Sequence, residues 1–241
     1  MSVNDLVLVQ GMHDTRAALA RWNARPWSAL GPWLALSLAI ALMVLTSIYV
    51  IATQVPADSS RFIIPGVNSD AGFGDYKHVL YRNSLVLALH AMACVAGFMA
   101  GSSMPLAASS RSGVSRWVHE KAGTFAIAFV VGATTFSLCT QAYLIGSNAA
   151  TIATQLGTSP LALLVALSPH AVPELVALFL PLAAWMIASR NGDWQDLLAA
   201  TAVTLAVAVP VLLASAAVEV WVSPHLMNAI STHPPTLLGT P

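Results

Sequence analysis

The sequence predicts an all-α integral membrane protein with about five transmembrane helices, one of them discontinuous near Pro169–Pro173, and an N-terminal interfacial helix. Three observations predict it. Of 241 residues, 57% are hydrophobic and 8% charged, where a globular domain carries about 25% charged residues. The apolar residues gather into runs of the roughly 20 that a helix needs to cross a bilayer. The polar residues gather between those runs, together with Gly and Pro. Ten Lys and Arg balance ten Asp and Glu, so no basic stripe exists to neutralise phosphates, which argues against nucleic acid as a partner. Cys94 and Cys139 both fall in apolar runs and read as small core hydrophobes, not as a disulfide framework or a zinc site.

Residues 1–30 form a mixed N-terminal segment. From Thr15 to Leu30, Leu19, Trp22 and Trp27 interleave with Arg16, Arg21 and Arg25, the pattern of a helix lying at the membrane surface. The first span follows, from about Trp33 to Val55. The length of its leader and the lack of a nearby small-residue cleavage site argue against a cleaved signal peptide. Residues 56–82 are the one sizeable polar loop, punctuated by Pro56, Pro65, Gly66, Gly72 and Gly74. The second span runs from about Ser84 to Gly101, and Gly97 and Gly101 give it a close-approach pattern toward a helix or a second subunit. A short basic segment, 102–121, leads to the third span, about Ala122 to Ile145, and residues 146–159 are small and polar. The fourth apolar run, Pro160 to Ala188, is longer than one crossing needs. The last span extends from about Leu197 to Val222, kinks at Pro210 and stops at Pro224. The transmembrane domain is therefore 31–226, and a Pro-rich tail occupies 227–241.

Lys and Arg set the orientation. With the N-terminus in the cytoplasm, Arg16, Arg21, Arg25, Arg111, Arg116, Lys121 and Arg190 lie inside and Arg61, Lys77 and Arg82 outside. The expected location is the cytoplasmic membrane, crossed several times.

Two of the three glutamates, Glu174 and Glu219, fall inside apolar runs, whereas Glu120 does not. A carboxylate at bilayer depth costs several kcal/mol unless it is paired or protonated, so each is a functional candidate. Its partners are to be sought among Asn83, His90, Gln141, Asn148 and His170. In Ser168-Pro169-His170-Ala171-Val172-Pro173-Glu174, Ser followed by Pro is a helix start, and Pro173 cannot donate to the backbone ladder. The expectation is a half helix to about Leu167 and a second helix from about Pro169, its positive end able to face an anion. His170 and Glu174 are four apart and share a helical face. The functional reading competes with a structural one, in which His170–Glu174, His90, Asn83 and Asn148 bond across helices and Glu219 sits at the headgroups. No nucleotide-binding, zinc-protease or serine-nucleophile motif is present.

Arg82-Asn83 at the start of a span, the mid-protein Asn148, Pro169-His170 with Glu174-Leu175, and Ala216-Ala217 with Glu219 and Pro224 together resemble the stage II sporulation protein M family of polytopic membrane proteins, over about residues 76–226. The chain departs from the family's pattern at Ala149 and Ala171, where glycine is usual. The resemblance implies a non-enzymatic scaffold or complex subunit of the bacterial cell envelope. No catalytic residue, metal ligand or cofactor is expected. The expected partners are the lipid bilayer, a second copy in a homodimer, and envelope proteins such as a cell-wall hydrolase or a transporter subunit. The alternative is a transporter or channel component with His170, Glu174 and Glu219 on an ion or proton path. A third reading, an intramembrane metal-dependent hydrolase, would use those three residues as ligands.

Overall fold

A computed structural model describes residues 7–103 and 112–232. Arg111 and the tail from 233 onward lie outside the described residues, as do the side chains of Arg116, His119 and Glu120. Among the described residues, five helices are long and apolar enough to cross a membrane, and the only sheet-like pairing is an isolated bridge between Pro65 and Ser69. The chain is an all-α, multi-pass membrane protein.

The N-terminal helix and the first span both form, with other bounds than expected. α1 (Val7–Ala24) is separated by Arg25 alone from the first span, α2 (Pro26–Gln54), because Pro26 has no N–H to continue the first helix and its fixed φ suits the start of the next. α3 (Phe73–Phe98) starts well before the predicted Ser84. Asp75 Oδ2 accepts the Gly72 N–H at 2.9 Å, a carboxylate placed where the first turn leaves donors unsatisfied. A π-helical turn, Met99–Ser103, extends it. α4 (Gly113–Leu156, 44 residues) absorbs part of the basic segment and most of the small polar one.

α5 (Pro160–Asn191) is one unbroken helix of 32 residues, so the discontinuity expected at Pro169–Pro173 does not occur. Pro169 cannot donate to the carbonyl of Val165, but Ser168 Oγ donates to it at 2.8 Å. The residue read as a helix cap instead satisfies the carbonyl that the proline frees. Nor does Pro224 end the last span. α6 (Leu197–Ala217), which runs through Pro210, passes into a π-helical turn, Val218–Val222, and then α7 (Ser223–Ile230). A proline breaks the α-helical register, and a wider turn absorbs the defect without ending the helix.

The chain forms two compact units. The first comprises Met1–Ser37, Val86–Thr135 and Leu178–Ala208. Trp33, Leu180, Ala184 and Ala200 form a buried cluster, and Trp22 meets Trp33 edge-on at 5.1 Å between ring centroids. Gly97 and Gly101 are the close approaches of this unit, and both are internal to the chain. A Cβ on Gly97 would lie 2.7 Å from Trp185 Nε1, and one on Gly101 would overlap the Trp194 ring. An Arg21–Asp196 ion pair joins α1 to the start of the last span at 2.6 Å.

The second unit comprises Leu38–Leu85, Phe136–Ala177 and Val209–Pro241. Its core is rich in alanine: Ala52, Ala149, Ala150 and Ala153 pack with Val67, Leu156, Leu163 and Met227. The polar loop is tied down by its own side chains. Buried Asn68 accepts the Ile64 N–H at 2.7 Å and donates to Phe62 O at 2.8 Å. Gln155 accepts the Phe62 N–H and donates to the same carbonyl, and Thr151 Oγ1 accepts the Asp58 N–H. The Ser60 N–H beside the Asp58 carboxylate holds its pKa below the ordinary 3.8. Gly66, at φ +80°, lies under Pro224 where a Cβ would come within 2.7 Å.

Candidate functional site

The second unit contains a cavity of about 420 Å³, within the range of small-molecule sites. Three sources supply its polar wall. Asp75, His78 and Arg82 come from the first turns of α3 at i, i+3 and i+7, which sets them on one helical face. His170 comes from the middle of α5, and Glu219 and Ser223 come from the π turn and the residue after it. Ile63, Ile64, Val79, Ile152, Leu167 and Met227 supply an apolar wall, two of them from the clamped loop. His170 is buried, Asp75 and Glu219 are half-buried, and His78 and Arg82 are exposed.

The π turn sets this geometry. The Ser223 N–H bonds to Val218 O, five residues back, and Ser223 Oγ lies 3.2 Å from the same carbonyl. Ser223 Oγ is also 2.6 Å from His170 Nδ1. The hydroxyl has one proton. Directed at Val218 O, it makes Nδ1 the donor and leaves Nε2 bare, and directed at Nδ1, it makes Nε2 the N–H. In both cases one ring nitrogen is committed to Ser223, and the other has no hydrogen-bond partner among the described residues. Stacking of Tyr76 on Trp221 (5.3 Å between centroids) and donation by Tyr76 Oη to Leu213 O at 3.3 Å hold α3 beside the turn. Single-turn π-bulges occur often at functional sites.

Asn83, Glu174, Glu219 and His170, four residues singled out in the sequence, come together here, but in a different pairing. His170 bonds Ser223, and no ion pair links it to Glu174. Glu174 Oε2 and Asn83 Nδ2 are buried, and neither makes a hydrogen bond. Glu219 and Arg82 act on Glu174 through their charges, and the Asn83 side-chain amide faces its carboxyl beyond ordinary hydrogen-bond length. Arg82 also acts on Glu219, yet no ion pair joins them.

His90 and Asn148 fall elsewhere. His90 is buried in the first unit, its Nδ1 2.8 Å from Leu178 O, and Asn148 is exposed on α4. Among the described residues no three His, Cys, Asp or Glu side chains gather closely enough to hold a metal ion, so His170, Glu174 and Glu219 do not form a ligand set. Asp75, His78 and Ser223 were not singled out. The spacing Asp75-x-x-His78-x-x-x-Arg82 is helical and marks them once α3 is known to start at Phe73. No family model, curated protein or solved structure matches the chain.

Proposed function

We propose that the chain is a transporter or channel component whose second unit holds a polar solute site, with Glu174, Glu219 and His170 on an ion or proton path. The supporting observation is the convergence of Glu219, Arg82 and His170 on one cavity with Glu174 beside it. Ionisable groups within a spanning segment are costly, and those that persist there mark pathways or binding sites. The test is flux through proteoliposomes of the purified chain, driven by a proton or cation gradient. Wild type carries current or solute, and Glu219→Gln and Glu174→Gln each lower the rate about tenfold or more while eluting as monodisperse protein. Wild-type vesicles no leakier than empty ones would overturn the reading.

A second reading is an envelope scaffold of the stage II sporulation protein M type, a homodimer or a partner of a cell-wall hydrolase or transporter subunit, in the cytoplasmic membrane with its N-terminus inside. Its support is the sequence resemblance together with α4, whose most apolar stretch is 6% buried against 50% for that of α5, leaving that stretch free to meet lipid or another chain. A stoichiometric envelope protein co-purifying in mild detergent would favour it.

A further inference from the structure

Resting on the reading of this cavity as a solute site, we propose that its ligand class is a small zwitterion with an aliphatic side group, of the α-amino acid kind. The cavity presents opposite charges that do not neutralise one another directly. Glu219 and Arg82 both line it and interact electrostatically without forming an ion pair. Asp75 Oδ2 accepts the Gly72 N–H, which leaves its Oδ1 and its negative charge in place. The anionic groups that face a ligand are thus Glu219 and Asp75, and the cationic one is Arg82. A lone cation would leave the guanidinium unanswered, and a lone anion the carboxylates. A molecule carrying ammonium and carboxylate answers both, and a guanidinium matches a carboxylate with paired donors. The rest of the lining, Ile63, Ile64, Val79, Ile152, Leu167 and Met227, favours an apolar group on the same ligand. The wall is fixed in advance, because Asn68 and Gln155 clamp the loop that carries Ile63 and Ile64, and a preformed site binds without a loop-ordering cost.

The experiment is calorimetric binding of each proteinogenic amino acid to the full chain in lipid nanodiscs. For the tightest ligand, its C-terminal amide and its deaminated acid are then measured. An aliphatic amino acid binds, and each truncated analogue binds roughly 10- to 100-fold more weakly, the loss expected for one charged hydrogen-bonding partner. Glu219→Gln weakens the amino acid and the amide while sparing the deaminated acid. Arg82→Gln weakens the amino acid and the deaminated acid while sparing the amide, and Arg82→Lys retains part of the affinity. An amide that binds as tightly as its parent would overturn the zwitterion assignment, as would the absence of binding by every amino acid. If none binds and vesicles still pass ions, the ligand class is wrong and the pathway stands. If neither binding nor flux is seen, both fall.

Discussion

In the first unit, polar side chains that are buried meet carbonyls. His90 Nδ1 lies 2.8 Å from Leu178 O, and Cys94 Sγ donates to Pro181 O at 3.2 Å. Both contacts fall beside Pro181, which has no N–H to give the carbonyl of Ala177, so side chains from α3 pin α5 where its own ladder is weakest. In the second unit, Glu174 Oε2 and Asn83 Nδ2 are buried without hydrogen bonds, and Glu219 faces a cavity. The first unit has its own orphan, Trp185 Nε1, but that is a neutral N–H. Glu174 is ionisable, and a buried ionisable group costs more than a buried neutral N–H, so the contrast sets a unit whose buried polar groups are neutral against one that buries acids.

The largest effect expected is from overpacking the first unit. Gly101→Ala puts a Cβ into the Trp194 ring and lowers stability by about 1–3 kcal/mol. Gly132→Ala, with nothing within 4 Å of the new Cβ, stays within about 0.5 kcal/mol, as thermal midpoints in detergent will show. His90→Ala is expected to cost about 1–3 kcal/mol, because Leu178 O loses its side-chain partner in a buried setting. Equal stability of the two alanine variants at Gly101 and Gly132 would remove the packing half of the comparison. Ser168→Ala leaves the Val165 carbonyl without its hydroxyl donor and costs about 0.5–1.5 kcal/mol. The smallest effect is at Asp58. Its lowered pKa means that the carboxylate stabilises the loop above the ordinary 3.8 and loses that contribution as pH falls through the lower folded value. A slight destabilisation by Asp58→Asn at pH 7 therefore disappears at pH below that range, and a gap that widened in acid would contradict the Ser60 contact.

Five apolar runs were legible because bilayer thickness demands them and few charges interrupt them. The helix ends were not. Asp75, Lys77, His78 and Arg82 read as loop residues, although a helix accepts them once they face a cavity or solvent. Both errors at prolines share one cause. The sequence shows that Pro169 and Pro224 remove donors, but not that Ser168 would satisfy Val165 O or that a π turn would absorb the defect before Pro224. Glu174 and Glu219 were legible from their rarity in apolar runs, and Asn83 from its place at the start of a span. The partner of His170 was not, since Ser223 is 53 residues away and helical spacing points only to Glu174.

The most direct test sets the two units against each other in one assay, measuring flux and thermal midpoint together for Glu219→Gln and His90→Ala in the same proteoliposomes. The account predicts that Glu219→Gln lowers flux about tenfold or more and keeps or raises the midpoint, whereas His90→Ala lowers the midpoint and keeps flux per folded molecule. Loss of stability without loss of flux in Glu219→Gln would contradict it.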